Sequence, residues 1–454
     1  MFAKIRRIFP QALAIVTVWI IPFEIGIVGI WTSPYVAQLT APNSPIPLNS
    51  DEASWVTSIL YLGKFTGAIL GSICVNFLGS KKSCLITGIP FLIGWIISYF
   101  ANSALWLCVA RVSLGTGYGL AFSCFALYLG EIAPPDIRGA LVSFAAMGFP
   151  FGNLFGSLTG PRMSIQASSI TYFVPSAILI IVLFFLPDSP HHLVKIDDVK
   201  GARESLRWYR GGVDDVEHEL EGVVKFVELT ASTSFMEKLA EFRLRHVRKA
   251  TFLVMILFAF SQMCGLMNII FNMETILRNS KSTVVEPSSA VSYVLTISVI
   301  SSIITMGLYD RFGRKLLFIT SSTGVSIALM CLGTHFILVT KGIDWNGAQW
   351  LPIASLFFFI ASFANGLNAI PSIVSSEVYS ANIKFVAALL ANITASAASF
   401  LTSKLYQPLV DMYGEAYVFY GHALITFLAV PYALIFMPET KGKTLQQIQN
   451  DLMR

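Results

Sequence analysis

The chain has 454 residues, of which 55% are hydrophobic and 13% charged, with a mean hydropathy of +0.68 and a formal net charge of +5. Soluble domains carry about a quarter of their residues charged, so this composition excludes an ordinary soluble enzyme or binding module and describes a chain that crosses a bilayer repeatedly. The six cysteines show neither a disulfide framework nor a metal spacing, no nucleophile–base pair stands out, no cofactor is expected, and the basic surplus needs no nucleic-acid partner because topology accounts for it.

Lys4, Arg6 and Arg7 precede an apolar run with no small-residue cleavage site after it, which reads as a retained first span and not a signal peptide. Spans follow near 12–31, 54–76, 83–102, 106–129, 139–160 and 169–187, and again near 250–277, 288–309, 315–339, 348–376, 385–409 and 416–437. Each can cross a hydrocarbon core of about 30 Å at about 1.5 Å per residue. Between the two sets, residues 188–249 hold 11 Lys/Arg and 12 Asp/Glu, and Val216, Leu220, Val223 and Val227 recur at helical spacing, so this connector reads as amphipathic helices. The chain therefore divides into a six-helix bundle over 1–187, the connector over 188–249, a second bundle over 250–437 and a tail over 438–454. Of the 31 Lys/Arg, 24 fall on the side of the termini and connector, four (Arg162, Arg278, Lys281, Lys341) opposite, and three (Lys64, Arg111, Lys404) within spans. By the positive-inside rule the termini and connector are cytoplasmic.

Short signals repeat between the halves. Asn76–Lys82, "NFLGSKK", matches Asp310–Lys315, "DRFGRK". Glu131 precedes Arg138 by seven, as Glu377 precedes Lys384, and the sixth and twelfth spans end in "PDSP" and "PETKGKT". Paired offsets of this kind mark structural repeats.

Together Arg111, Gly115, Gly117 and Gly119, then "GEIAPPDIRGAL", "PDSP", "DRFGRK" and "PETKGKTLQQI", resemble the sugar porter family of the major facilitator superfamily over nearly the whole chain. The short loop 32–52, without a usable glycosylation sequon, points within it to arthropod trehalose and hexose transporters. The resemblance implies an all-α fold of twelve transmembrane helices in two pseudo-symmetric bundles, and transport of hexoses, polyols or small disaccharides by a plasma-membrane protein working as a monomer in the lipid bilayer. It also implies a cytoplasmic gate made of Glu131, Arg138, Glu377 and Lys384, braced by Asp310, Arg311, Arg314 and Lys315. The bland alternative for these charges is topology at a wet interface, where exposed pairs contribute about 0–1 kcal/mol. Three positions depart from the pattern: Ser80 and Phe77 stand where basic residues are usual, and His191 where an arginine is. The glycines read first as packing residues.

The binding site is expected at interrupted spans: the first with Glu24, the seventh with Ser261, Gln262 and Asn268, the eighth with Ser298, and the tenth with Asn365 and Asn368, joined by Arg111. Against the family pattern, however, Ser261 replaces a glutamine, Met267 an asparagine with Asn268 one residue late, Ala146 a glutamine, Ser298 an asparagine and Ser372 a tryptophan, while an Asn-Trp pair falls on Ala395 and Ser396. Frame and pocket disagree, since each unmatched buried polar group costs about 1–3 kcal/mol. Glu24, Lys64 and Arg111 are charges inside spans, and such charges pair or line a cavity, so an ion pair of Glu24 with Lys64 or Arg111 is expected. Lys404 and Glu274 lie nearer span ends, where snorkelling or loop exposure explains them. The expected function is facilitative uniport of a hexose or trehalose-like sugar. Open alternatives are another polar solute such as a polyol or organic anion, a non-transporting solute sensor, and proton symport through Glu24.

Overall fold

Apolar runs of this length leave the backbone no partner in lipid except itself, and twelve helices long and apolar enough to cross a membrane result. They span Phe9–Leu39, Ser50–Leu78, Ser80–Phe100, Ala104–Ile132, Arg138–Arg162 and Ile165–Phe185, then Arg245–Asn279, Pro287–Thr305, Arg314–Thr340, Leu351–Val378, Val386–Tyr413 and Glu415–Phe436. The structure, a computed structural model, describes residues 2–41, 44, 46–134, 137–212, 216–231, 240–307, 309–342, 349–380, 383–443 and 445–453. The twelve-span, all-helical architecture is the one expected.

Span boundaries differ from the sequence reading at several ends, and two of the differences have a clear local cause. The first span continues past Trp31 as helix Thr32–Leu39, buried along Thr32–Val36, so much of the expected loop is helical. The second span opens earlier, at Ser50, because Asn49 caps it: its side chain accepts the Glu52 N–H at 2.8 Å while the Glu52 carboxylate accepts the Asn49 N–H at 3.0 Å.

Within the first half the second and fourth spans pack closely. A Cβ on Gly115 would lie 2.1 Å from the Leu60 carbonyl oxygen, and one on Gly119 2.1 Å from that of Lys64, so these glycines are packing residues as expected. The connector helices Pro190–Lys195, Val199–Tyr209 and Glu217–Ala231 build a small core of Val194, Ala202, Leu206, Val216, Leu220 and Val223. They dock beneath the first half. The Tyr209 hydroxyl donates to the Pro187 carbonyl at 2.8 Å and pairs with the Tyr128 hydroxyl at 2.7 Å, and Arg210 donates to the Ile132 carbonyl at 2.8 Å.

Candidate functional site

The three intramembrane charges do not meet. Arg111, 1% exposed, spends its guanidinium on main-chain oxygens, donating to Val28 at 2.7 Å and Val56 at 3.3 Å. Its faces lie 5.5 Å from the Trp31 ring centre and 5.7 Å from that of Phe271. Lys64 lies over aromatic rings, 4.7 Å from the centre of Tyr118 and 5.2 Å from that of Phe122. Glu24 is fully buried and accepts from the Trp95 indole at 3.1 Å. The expected ion pair of Glu24 with Lys64 or Arg111 is therefore absent among the described residues. Geometry explains the correction: Val28 lies four residues, about 6 Å, further along the first span than Glu24, and two carbonyls draw the guanidinium there. Cation–π contact in turn compensates Lys64 for lost water. Lys64 is held over the rings, while Arg111 Nη2 is buried and without a partner among the described residues.

The candidate polar set of the second half is largely engaged within that half. Ser261 donates to the Leu367 carbonyl at 2.8 Å, Gln262 accepts from Ser399 at 2.8 Å, and Asn365 accepts from Thr305 at 3.0 Å. Asn268 donates to the Thr402 carbonyl and approaches His422 Nε2, each at 3.2 Å. Ser298 is half-buried and its carbonyl accepts from Ser302 at 2.8 Å. Asn368, between the helical segments Leu351–Asn365 and Ile370–Val378, is exposed. These side chains converge from the seventh, eighth, tenth, eleventh and twelfth spans, but most bind protein.

On the connector side each gate carboxylate is held inside its own half. Glu131 accepts from Ser80, and from Ser189 at 2.5 Å. Ser80 thus supplies a hydroxyl where a cation was the usual type, while Arg138 is exposed. Glu377 Oε1 accepts from Arg314, 3.1 Å from Nε and 2.9 Å from Nη2. Glu439 accepts the backbone N–H groups of Arg314 at 3.0 Å and Lys315 at 3.1 Å. Although its partial burial acts the other way, donors from Lys441, Arg314, Lys315 and Thr440 hold the Glu439 carboxyl below its usual range. Lys315 reaches the Leu434 carbonyl and Lys441 the carbonyl of Arg311. Lys384 is exposed, and the Asp310 side chain lies outside the described residues.

Polar contacts between the halves occur on the opposite side. Lys404 pairs with Asp51 at 2.9 Å and its carbonyl accepts from Ser54 at 3.3 Å. Ser157 donates to Ser292 at 3.3 Å, and the Glu274 N–H donates to Ser33 at 3.2 Å. Tyr61 stacks on Phe271 at 5.9 Å beside Arg111. All lie toward the span ends away from the connector, so the molecule is closed on that face. Lys404 is a structural partner there, a role that snorkelling did not foresee, while the buried Glu274 carboxylate pairs with Arg278 at 2.6 Å on its own helix.

A family model described as "Sugar (and other) transporter" matches residues 12–452. The facilitated trehalose transporter Tret1 of Bombyx mori is 30% identical over 458 residues, covering 98% of this chain and 87% of that protein. Tret1 of Apis mellifera ligustica is 29% identical over 441 residues, covering 97% and 87%. Among solved structures, the inward-open xylose transporter XylE from E. coli gives a TM-score of 0.78 at 20% identity, over 96% of this chain and 98% of that one. The proton:xylose symporter XylE bound to 6-bromo-6-deoxy-D-glucose gives 0.74 at 21%, over 99% of both. At these identities the structures establish the fold.

Proposed function

This chain belongs to the Sugar (and other) transporter family, and on that premise we propose that it carries a neutral sugar by alternating access, as a facilitative uniporter. The observation that carries the reading is one-sided closure: polar contacts between the halves cluster away from the connector, while the gate carboxylate Glu131 is held by Ser80 and Ser189 and one oxygen of Glu377 by Arg314. A carrier must be able to exchange these conditions, closing one face as the other opens. The names of the trehalose-transporter relatives make trehalose the first candidate, with a hexose next. The protein works as a monomer in the plasma membrane with cytoplasmic termini.

Glu377 Oε2 is buried and without a partner. In the state closed at the cytoplasmic face this oxygen takes a donor from the first half, with Arg138 and Lys384 joining the latch around it. Uniport rests on the names of the facilitated-transporter relatives; Glu24, fully buried and apart from both intramembrane cations, is the residue on which proton coupling would instead depend. The test is uptake by purified protein in liposomes against trehalose, glucose, a polyol and an organic anion. Saturable flux of trehalose or glucose is expected. Flux of the polyol or anion alone overturns the sugar reading, and flux of nothing overturns transport.

A further inference from the structure

We propose that His422 of the twelfth span is a positioning residue for transport: it staples the two halves of the broken seventh span and thereby sets how readily the outer face opens. The inference rests on the alternating-access reading above.

The seventh span consists of helix Arg245–Met263, a break at Cys264 and Gly265, and helix Leu266–Asn279. Gly265 has φ +83°, a left-handed conformation open to glycine at little cost, and a Cβ there would lie 2.9 Å from His422 Cδ2. The imidazole is therefore pressed directly against the break.

A helix that stops leaves its last carbonyls without intrahelical donors. Ser261 O receives the Cys264 thiol at 3.1 Å, and Met263 O receives His422 Nδ1 at 2.9 Å. On the far side of the break, Asn268 Nδ2 is 3.2 Å from His422 Nε2. The same nitrogen is 3.2 Å from the Thr402 carbonyl, which can only accept, so this end of the amide is the NH2 and not the oxygen. Nδ1 then carries the ring proton and Nε2 accepts. One ring thus bonds the end of the inner helix and the start of the outer helix, and fixes the angle between them.

The outer helix bears closing contacts. Phe271 meets Tyr61 and Arg111 of the first half, and the Glu274 N–H meets Ser33. Freeing the angle at Gly265 loosens both contacts at once, although His422 touches neither.

The experiment uses the full chain in liposomes, with the partly exposed native cysteines Cys74, Cys108 and Cys331 replaced, the buried Cys264 kept, and Ser157→Cys as reporter, because Ser157 lies on the outer seam in contact with Ser292. Its labelling rate by a membrane-impermeant thiol reagent reads outer opening and needs no solute. His422→Phe keeps a ring against Gly265 but loses both hydrogen bonds, and is expected to raise the rate about fivefold or more. Asn268→Leu, which leaves the ring in place, is expected to raise it as well, and the double variant to match the single His422 variant. His422→Asn, which keeps a donor for Met263 O, should restore part of the wild-type rate. Unchanged labelling in both single variants, or effects that multiply in the double variant, overturns the staple. If His422→Phe does not fold, Asn268→Leu alone decides. A reporter that never labels in the unsubstituted chain contradicts alternating access instead, and flux without sugar selectivity contradicts only the substrate.

Discussion

Lys404 of the eleventh span reaches across to Asp51 at the head of the second, 2.9 Å from ammonium to carboxylate, and lies 4.2 Å from the centre of the Trp55 ring. The two residues are 353 positions apart and belong to opposite halves. Asp51 is mostly exposed, so the pair itself contributes at the low end of about 0–1 kcal/mol. The indole adds about 0.5–1 kcal/mol for the same cation. Together they form a weak clasp on the outer face, strong enough to bias a balance and weak enough to open.

Lys404→Met is expected to raise external labelling of a cysteine at Ser157 about two- to fivefold, and high salt to narrow the difference from wild type, since exposed pairs are screened. Equal labelling of the two proteins at low salt would remove the clasp from the account.

Glu377→Gln should act in the opposite sense on the cytoplasmic face. The carboxylate that holds Arg314 in this open state also presents Oε2, buried and unpartnered, for a donor in the closed one. Glutamine weakens both contacts but removes the latch more completely, so a cysteine at the exposed position Ser372 should label faster from the inside. Labelling no faster than in the unsubstituted protein would count against a latch at this position.

The connector should loosen in acid. Burial, with the Arg138 guanidinium next, pushes the His191 imidazole down from 6.5 to about 4, with Glu219 opposing. Its folded value lies below its unfolded one, so its contribution is complete above pH 6.5 and is lost as pH falls from there toward about 4. Discounted for partial exposure, the loss is about 2 kcal/mol. Amide exchange in Val199–Tyr209 should accelerate over that window, and His191→Phe, which keeps the edge contact with Phe226, should suppress most of the acceleration. Identical pH profiles for both proteins would assign the effect elsewhere.

The spans were legible because each apolar run must close its own hydrogen bonds in lipid, a condition visible within about 20 consecutive residues. What the charges and amides face was not, because it depends on partners far away in sequence. Lys404 alone looks the same whether it snorkels or meets Asp51. His422 sits in a mostly apolar run, and only the left-handed turn at Gly265 and the freed carbonyl of Met263 give it a task. Glu24, Lys64 and Arg111 suggested a pair by charge, but carbonyls and rings satisfied the cations more closely. A nearer signal existed for Ser80: it stands where a cation was usual, and a hydroxyl can still serve Glu131.

Selectivity follows from what is already spent. Ser261, Gln262, Asn268 and Asn365 each bond to protein, with Asn268 Oδ1 left buried and without a partner among the described residues, and Asn368 is the exposed amide of the set. Glucose is expected to bind more weakly than about 1 mM, with Asn368→Ala weakening it further. Tight, saturable glucose binding would show that these amides exchange their protein partners for the sugar.

The central claim is facilitative transport, and the steady-state sugar concentration inside proteoliposomes tests it most directly. With labelled trehalose or glucose outside, uptake should be saturable and stop when the two sides are equal, whether or not a proton gradient is imposed, and Glu24→Gln should leave that endpoint unchanged. Accumulation above the external concentration under a proton gradient, reduced to simple equilibration by Glu24→Gln, would contradict the account and make Glu24 the coupling carboxylate.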